Sequence, residues 1–179
     1  MPIVLYIIGF TATFSDGSLF PVVPLYCKSI GLASVGAGLV ITTIFASSSL
    51  SRAPAGRLSD RIGRRPIILL GSVFLSLGVA SISQFQTLSY LVVSGILFGL
   101  GFGMSSPASF ALVAELSSTK VMGLSMAIGA FCFHLGLAVG PTSMGVVAEA
   151  TNFKIMFLVC ASVLAIGVLA IAGLLKNRR

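Results

Sequence analysis

Asp16 is a carboxylate set within an apolar run, between Ser15 and the pair Gly17-Ser18. An acid at that depth in hydrocarbon is expensive, and by default it marks an ion or substrate path. Out of water the neutral acid is the cheaper form, which suits a group that takes up and releases a proton. If Asp16 lies nearer the outer interface, it is instead hydrated or bonded to Ser15 or Ser18. His134 sits inside another apolar run, where its partner is either Asp16 or a helix backbone carbonyl. The other two acids of that environment, Glu115 and Glu149, are expected in loops and solvated. The rest of the chemistry-bearing set is small. Cys27, Cys132 and Cys160 have no metal or redox spacing. Cys132 and Cys160 read as packing residues, and Cys27 lies near an exposed loop. No nucleophile has a base near it. Gly99-x-Gly101-x-Gly103 lies inside an apolar run and not between a strand and a helix, so it is no nucleotide loop. Catalysis, metals and cofactors are therefore not expected.

The remaining polar chemistry is concentrated in one stretch, Gly56-Arg57-Leu58-Ser59-Asp60-Arg61-Ile62-Gly63-Arg64-Arg65-Pro66, which carries five charges. Asp60 is the lone acid there and can pair with Arg61, Arg64 or a more distant arginine. It can also face the positive end of a neighbouring helix. Pro54 and Gly56 are expected to interrupt the preceding span, and Gly63 with Pro66 to open the next, so the turn is tight.

The elements that must hold these residues are long apolar helices. Of the 179 residues 56% are hydrophobic and only 8% charged, and the mean hydropathy is +1.11. A soluble domain is about a quarter charged, whereas apolar runs of about 20 residues read as membrane spans. Six spans can be drawn, at residues 3–26, 34–53, 67–83, 88–113, 123–147 and 155–175. Helix is the state that satisfies each backbone inside lipid, and nothing alternates as a barrel strand would. The first run has no basic start and no cleavage site, so it reads as a span and not as a signal peptide.

The net charge of +7 would suggest nucleic acid in a soluble protein. Here Lys and Arg collect at span ends instead, and no nucleic-acid partner is expected. Arg52, Arg57, Arg61, Arg64, Arg65, Lys120, Lys176, Arg178 and Arg179 fall on one side, against Lys28 and Lys154 on the other. That asymmetry predicts both termini in the cytoplasm.

The stretch G-x-L-S-D-R-x-G-R-R from Gly56 to Arg65 resembles the signature loop of the major facilitator superfamily of secondary transporters. Gly136-Leu137-Ala138-Val139-Gly140-Pro141-Thr142-Ser143-Met144-Gly145 resembles a second family element, G-x-x-x-G-P-x-x-G-G, seen notably in antiporters. It departs from that pattern at Met144. The bottom-up reading of the second element is close helix packing at Gly136 and Gly140 with a bend allowed by Pro141. Gly95, Gly99, Gly101 and Gly103 before Pro107 fit the same packing account.

The resemblance implies an all-α membrane protein of six transmembrane helices, one half of a two-half carrier, with the carboxy-terminal half favoured. It implies that Gly56, Asp60, Arg61, Gly63, Arg64 and Arg65 form a charge latch against the opposite half. Asp16 and His134 would line the proton or substrate pathway, and Gly136, Gly140, Pro141 and Gly145 would form a packing hinge. The implied partners are the lipid bilayer, a small-molecule substrate, and a second six-helix half or another copy of the chain. The implied activity is alternating-access transport in the plasma or inner membrane, as proton-coupled efflux of small organic compounds or drugs. The competing expectation is a six-span assembly module, or a truncated product, that transports nothing.

Overall fold

In the computed structural model, residues 2–82, 84 and 87–176 are described. They form six α-helices: α1 (Pro2–Ser29), α2 (Ser34–Ile62), α3 (Arg64–Ile82), α4 (Leu88–Leu116), α5 (Met122–Ala150) and α6 (Phe153–Lys176). The expected third span ends at Ser83, and the tail arginines are Arg178 and Arg179; these three residues lie outside the described set. No strand occurs among the described residues. The all-helical membrane fold read from composition is therefore what the chain adopts. Helices α2, α3, α4 and α5 are each long and apolar enough to cross a membrane.

The sequence reading of the basic stretch needs correction. Pro54 and Gly56 do not interrupt α2, which runs on to Ile62 with Pro54 inside it. Only Gly63 leaves the helical path, at φ 96°, and α3 begins at the next residue. A positive φ of this size strains any residue with a Cβ, so one glycine makes the whole reversal. Pro66 falls in the first turn of α3, where its missing N–H costs nothing. The motif is thus the last turns of one helix and the first turn of the next, not a loop.

The packing has an internal two-fold pattern. α1 packs on α5 and α6, α4 packs on α2 and α3, and α3 meets α6. Exchanging the first three helices for the last three leaves this list unchanged. Inverted repeats of three helices are a transporter architecture. The close contacts use small residues on both sides of the pattern. Gly136 and Gly140 of α5 lie against the backbone of α1, where a Cβ on Gly136 would stand 2.6 Å from the carbonyl oxygen of Phe10. In the matching position, Gly95, Gly99 and Gly103 of α4 face Val40, Ile44, Ser47 and Ser48 of α2.

Without a hydrophobic drive between helices in lipid, such close backbone approach supplies the association. The buried side chains form two groups: a larger one around Leu19, Tyr26, Ile44, Leu75, Phe98 and Phe157, and a smaller one around Ala55, Ile67, Ile68, Ala108, Leu112 and Val113. The smaller group lies beneath the basic end of the bundle, where α2, α3 and α4 converge.

Candidate functional site

At the basic end, Arg64 is the hub. Its Nη1 lies 2.5 Å from Asp60 Oδ1 and donates to Ser59 Oγ at 2.5 Å, while its Nε donates to Glu115 Oε1 at 2.9 Å. Three helices are joined this way, because Asp60 and Ser59 end α2, Arg64 begins α3 and Glu115 lies in the last turn of α4. The Gly63 reversal places the guanidinium over the end of α2, and its planar fork holds two carboxylates in fixed directions, which a lysine's freely rotating ammonium does not.

Of the partners left open for Asp60, the structure selects Arg64; Arg61 is exposed. Glu115 corrects the sequence reading. It was expected in a loop because the apolar run thins after Val113, yet α4 continues to Leu116 and brings its carboxylate to the cluster. The available signal was an acid one turn past an apolar boundary, on the side where the basic residues gather. Glu149 likewise falls within the last turn of α5 and is exposed.

A groove of about 180 Å³ opens beside this cluster, lined by Ala55, Gly56, Ser59, Arg64, Pro107 and Ala111 among others. A Cβ on Gly56 would meet nothing within 4 Å. Nothing inside this bundle therefore requires a glycine there.

The second centre is Asp16. It lies at the middle of α1, about 20 Å of helix rise from either end, and only 5% of it is exposed. Ser15 donates to the carbonyls of Thr11 and Cys160, and Ser18 to that of Phe14. Both hydroxyls are thus committed elsewhere. Asp16 itself has no hydrogen-bond or ionic partner among the described residues. Phe20, one turn along on the same face, stacks on Phe45 of α2 with ring centres 5.1 Å apart.

His134 is not brought to Asp16. It is exposed, and its Nδ1 lies 2.7 Å from the carbonyl oxygen of Ala130, one turn back in its own helix. Gly136 and Gly140 are buried against α1, whereas a Cβ at Gly145 would meet nothing within 4 Å. Pro141 lies inside a continuous α5. Cys27, expected near an exposed loop, is buried at the end of α1, and Cys160 is buried on α6. The described residues hold no group of His, Cys, Asp and Glu able to take a metal.

A bundle of apolar helices in two inverted triplets, with a buried acid and a charge cluster at one end, has the form of a membrane carrier. Residues 5–179 match the family described as Major Facilitator Superfamily, and the chain belongs to that family. Its members are transporters, and the chain is an integral membrane protein. Among similar proteins, the quinolone resistance protein NorA of Staphylococcus aureus is 26% identical over 149 residues, covering 83% of this chain and 38% of that protein. An MFS-type transporter of Methanocaldococcus jannaschii, MJ1560, is 23% identical, covering 88% and 41%.

Among solved structures, a POT family transporter in complex with 5-aminolevulinic acid superposes with a TM-score of 0.88 at 24% identity, over 99% of this chain and 38% of that one. The human organic anion transporter MFSD10 (TETRAN) superposes with 0.76 at 21%, over 95% and 46%. These two likenesses speak to the fold. The chain spans about two-fifths the length of the curated relatives it matches.

Proposed function

We propose that the chain is one six-helix half of a secondary transporter, the carboxy-terminal half, working with a second half or a second copy. The pair moves small organic compounds out of the cell by alternating access, coupled to protons. The chain lies in the plasma or inner membrane with its basic end and both termini in the cytoplasm, as the Lys and Arg asymmetry supports.

Asp16 carries the reading. A carboxyl in the middle of a membrane helix, 95% buried and unmatched by any cation, is costly in its charged form. A site that gains and loses a proton as water reaches it from alternate sides gives that cost a use. The Asp60–Arg64–Glu115 cluster fits a latch at the cytoplasmic face. The open space over Gly56 and the groove beside it suit a helix of the opposite half. Helix α5 supports the same arrangement: 17% of its apolar window is buried, against 39–44% for α2, α3 and α4. Its free face is then the surface offered to the partner half. Drug-like substrates and the outward direction follow the likeness to a quinolone resistance protein.

The test is transport in proteoliposomes, with the chain alone and joined to a matching half, under an imposed pH gradient and with a panel of small organic cations and amphiphiles. Gradient-driven export that Asp16→Asn uncouples is the expected result. Export indifferent to the gradient removes the proton coupling. Folded protein that is silent in both arrangements supports the non-transporting assembly module instead.

A further inference from the structure

Three hydroxyls on one face of α4 have no role in the packing described so far. Ser105, Ser106 and Ser109 recur at helical spacing and line a partly open cavity of about 30 Å³ bordered by α1, α3, α4 and α5. Ser72 of α3 and Tyr6 of α1 complete its polar lining. Ser105 is 4% exposed, and its Oγ has no hydrogen-bond partner. Leaving such a hydroxyl unmatched is unfavourable, and a buried polar group without a protein partner is the usual seat of an ordered water.

Size decides what the cavity takes. A water needs about 10–15 Å³ of such space, so two fit in the closed part of the cavity. The site also has enough partners. Ser72 donates to the carbonyl of Ile68 and Tyr6 to that of Ser125, and both oxygens keep lone pairs free to accept.

The position of the cavity gives the waters a use. Gly9 and Ala12 form its α1 wall, and Asp16 is the next residue on that face, at i, i+3 and i+7. The cavity therefore ends one turn short of the acid. On α4 its lining residues run from Phe102 to Val113, on the side toward the basic end where Glu115 lies. Tyr6 is the one ionisable group in the lining, and Cys132 of α5 borders a neighbouring pocket with it. On α5, His134 turns to the exposed face; on α6, Cys160 lies behind Ser15; the charges of α2, α3 and α4 stand at the basic end.

We propose that this cavity holds one or two ordered waters and is a relay station on the way by which the Asp16 proton reaches the basic, cytoplasmic end. The proton leaves the Asp16 carboxyl for a water oxygen, and each oxygen along the path passes one proton on as it receives one. Every hydroxyl is thus unchanged after transfer, and the net result is a carboxylate at Asp16 and one proton delivered to the cytoplasmic end. The inference rests on the proposed proton coupling.

The test pairs Ser105→Val with Ser105→Thr, which add the same steric bulk but differ in the hydroxyl. X-ray hydroxyl-radical footprinting of the full chain in nanodiscs, in H₂¹⁸O, reports water beside Phe102, Phe110 and Tyr6 without any need for transport. The wild type and Ser105→Thr are expected to label these rings, and Ser105→Val to lose at least five-fold of the signal. In proteoliposomes with the second half, Ser105→Val should slow pH-gradient-driven transport about ten-fold while substrate exchange without a gradient persists. Unlabelled rings in the wild type, or equal behaviour of the two variants, would overturn the water path. If both variants fail to fold, Ser109→Ala, which removes bulk, carries the same comparison. Coupling indifferent to Asp16→Asn would instead overturn the proton reading, whatever the footprint shows.

Discussion

Four glycines that look alike in the sequence should respond to the same methyl group in opposite directions. At Gly136 an added Cβ would stand 2.6 Å from the carbonyl oxygen of Phe10 and 2.9 Å from the amide nitrogen of Phe14. Ordinary contact begins near 3.4 Å, so α1 and α5 must part by nearly 1 Å, and the obstacle is backbone, which cannot rotate away. A gap of that size forfeits a quarter to a half of each dispersion contact along the seam, and overpacking costs about 1–3 kcal/mol. Against this, alanine gains roughly 0.5–1 kcal/mol over glycine in a helix interior.

Gly136→Ala should therefore lose about 1–2 kcal/mol, and Gly140→Ala, whose added atom would fall against the carbonyl of Phe14, at least as much. At Gly145 and Gly56, where a Cβ meets nothing within 4 Å, only the helix gain remains. Both alanine variants should be stabilised by about 0.5–1 kcal/mol. Thermal unfolding of the isolated chain in nanodiscs reads the difference as a split of several degrees, at about 2–4 °C per kcal/mol for a chain of this size. A common sign for all four substitutions would refute the packing of α5 on α1.

The same geometry separates folding from transport at Gly56: Gly56→Leu should not lower the melting temperature of the chain, and by helix propensity should raise it, yet should abolish transport with the second half. Transport that survives would remove that face from the docking surface. Arg64→Ala and Glu115→Gln should each lower the melting temperature at 0.15 M salt. The loss should shrink at 1 M, where the screening length falls to about 3 Å; a loss independent of salt would mean the cluster acts by shape and not by charge. His134→Ala should change neither stability nor transport, since the ring bonds only its own helix and faces outward; a ten-fold loss of transport would return it to the pathway. Gly63→Ala should destabilise the chain by about 1–2 kcal/mol because of the positive φ, as chemical unfolding would report.

Much of this was legible because lipid leaves few choices. An apolar run long enough to span must be helical, and the places where each run begins followed from hydropathy within a few residues of the helices observed. The errors share one cause, which is that ends were read from polarity alone. Pro54 and Gly56 are breakers in water, but α2 continues through them because its small residues lie against α4 and Pro54 gives up only one backbone bond. Glu115 was set in a loop for the same reason. Its helix outlasts its apolar stretch, and no linear signal says which arginine stands opposite. Ser105 was passed over entirely. Three serines in a glycine-rich helix announce small-residue packing, and only the arrangement of α1, α3 and α5 around them makes one an unmatched hydroxyl in a cavity.

On the proposed reading Asp16 and Arg64 divide the work that a carrier must do, and their surroundings differ accordingly. Arg64 has two carboxylates and a hydroxyl within reach, and both carboxylates are more than half open to water, so the cluster can form and break at little cost in either state. That suits a contact remade in every cycle. Asp16 has no partner and almost no water, so its charge is tolerable only while something outside this bundle reaches it. Both centres have room for something more: the cluster borders an open groove, and the acid has no partner among the described residues. A stand-alone assembly module would have no use for an unmatched acid at mid-membrane, and replacing Asp16 with Leu should then only stabilise it. In a carrier the same substitution should stabilise the chain and end coupled transport together. Measuring both on one variant separates the two readings.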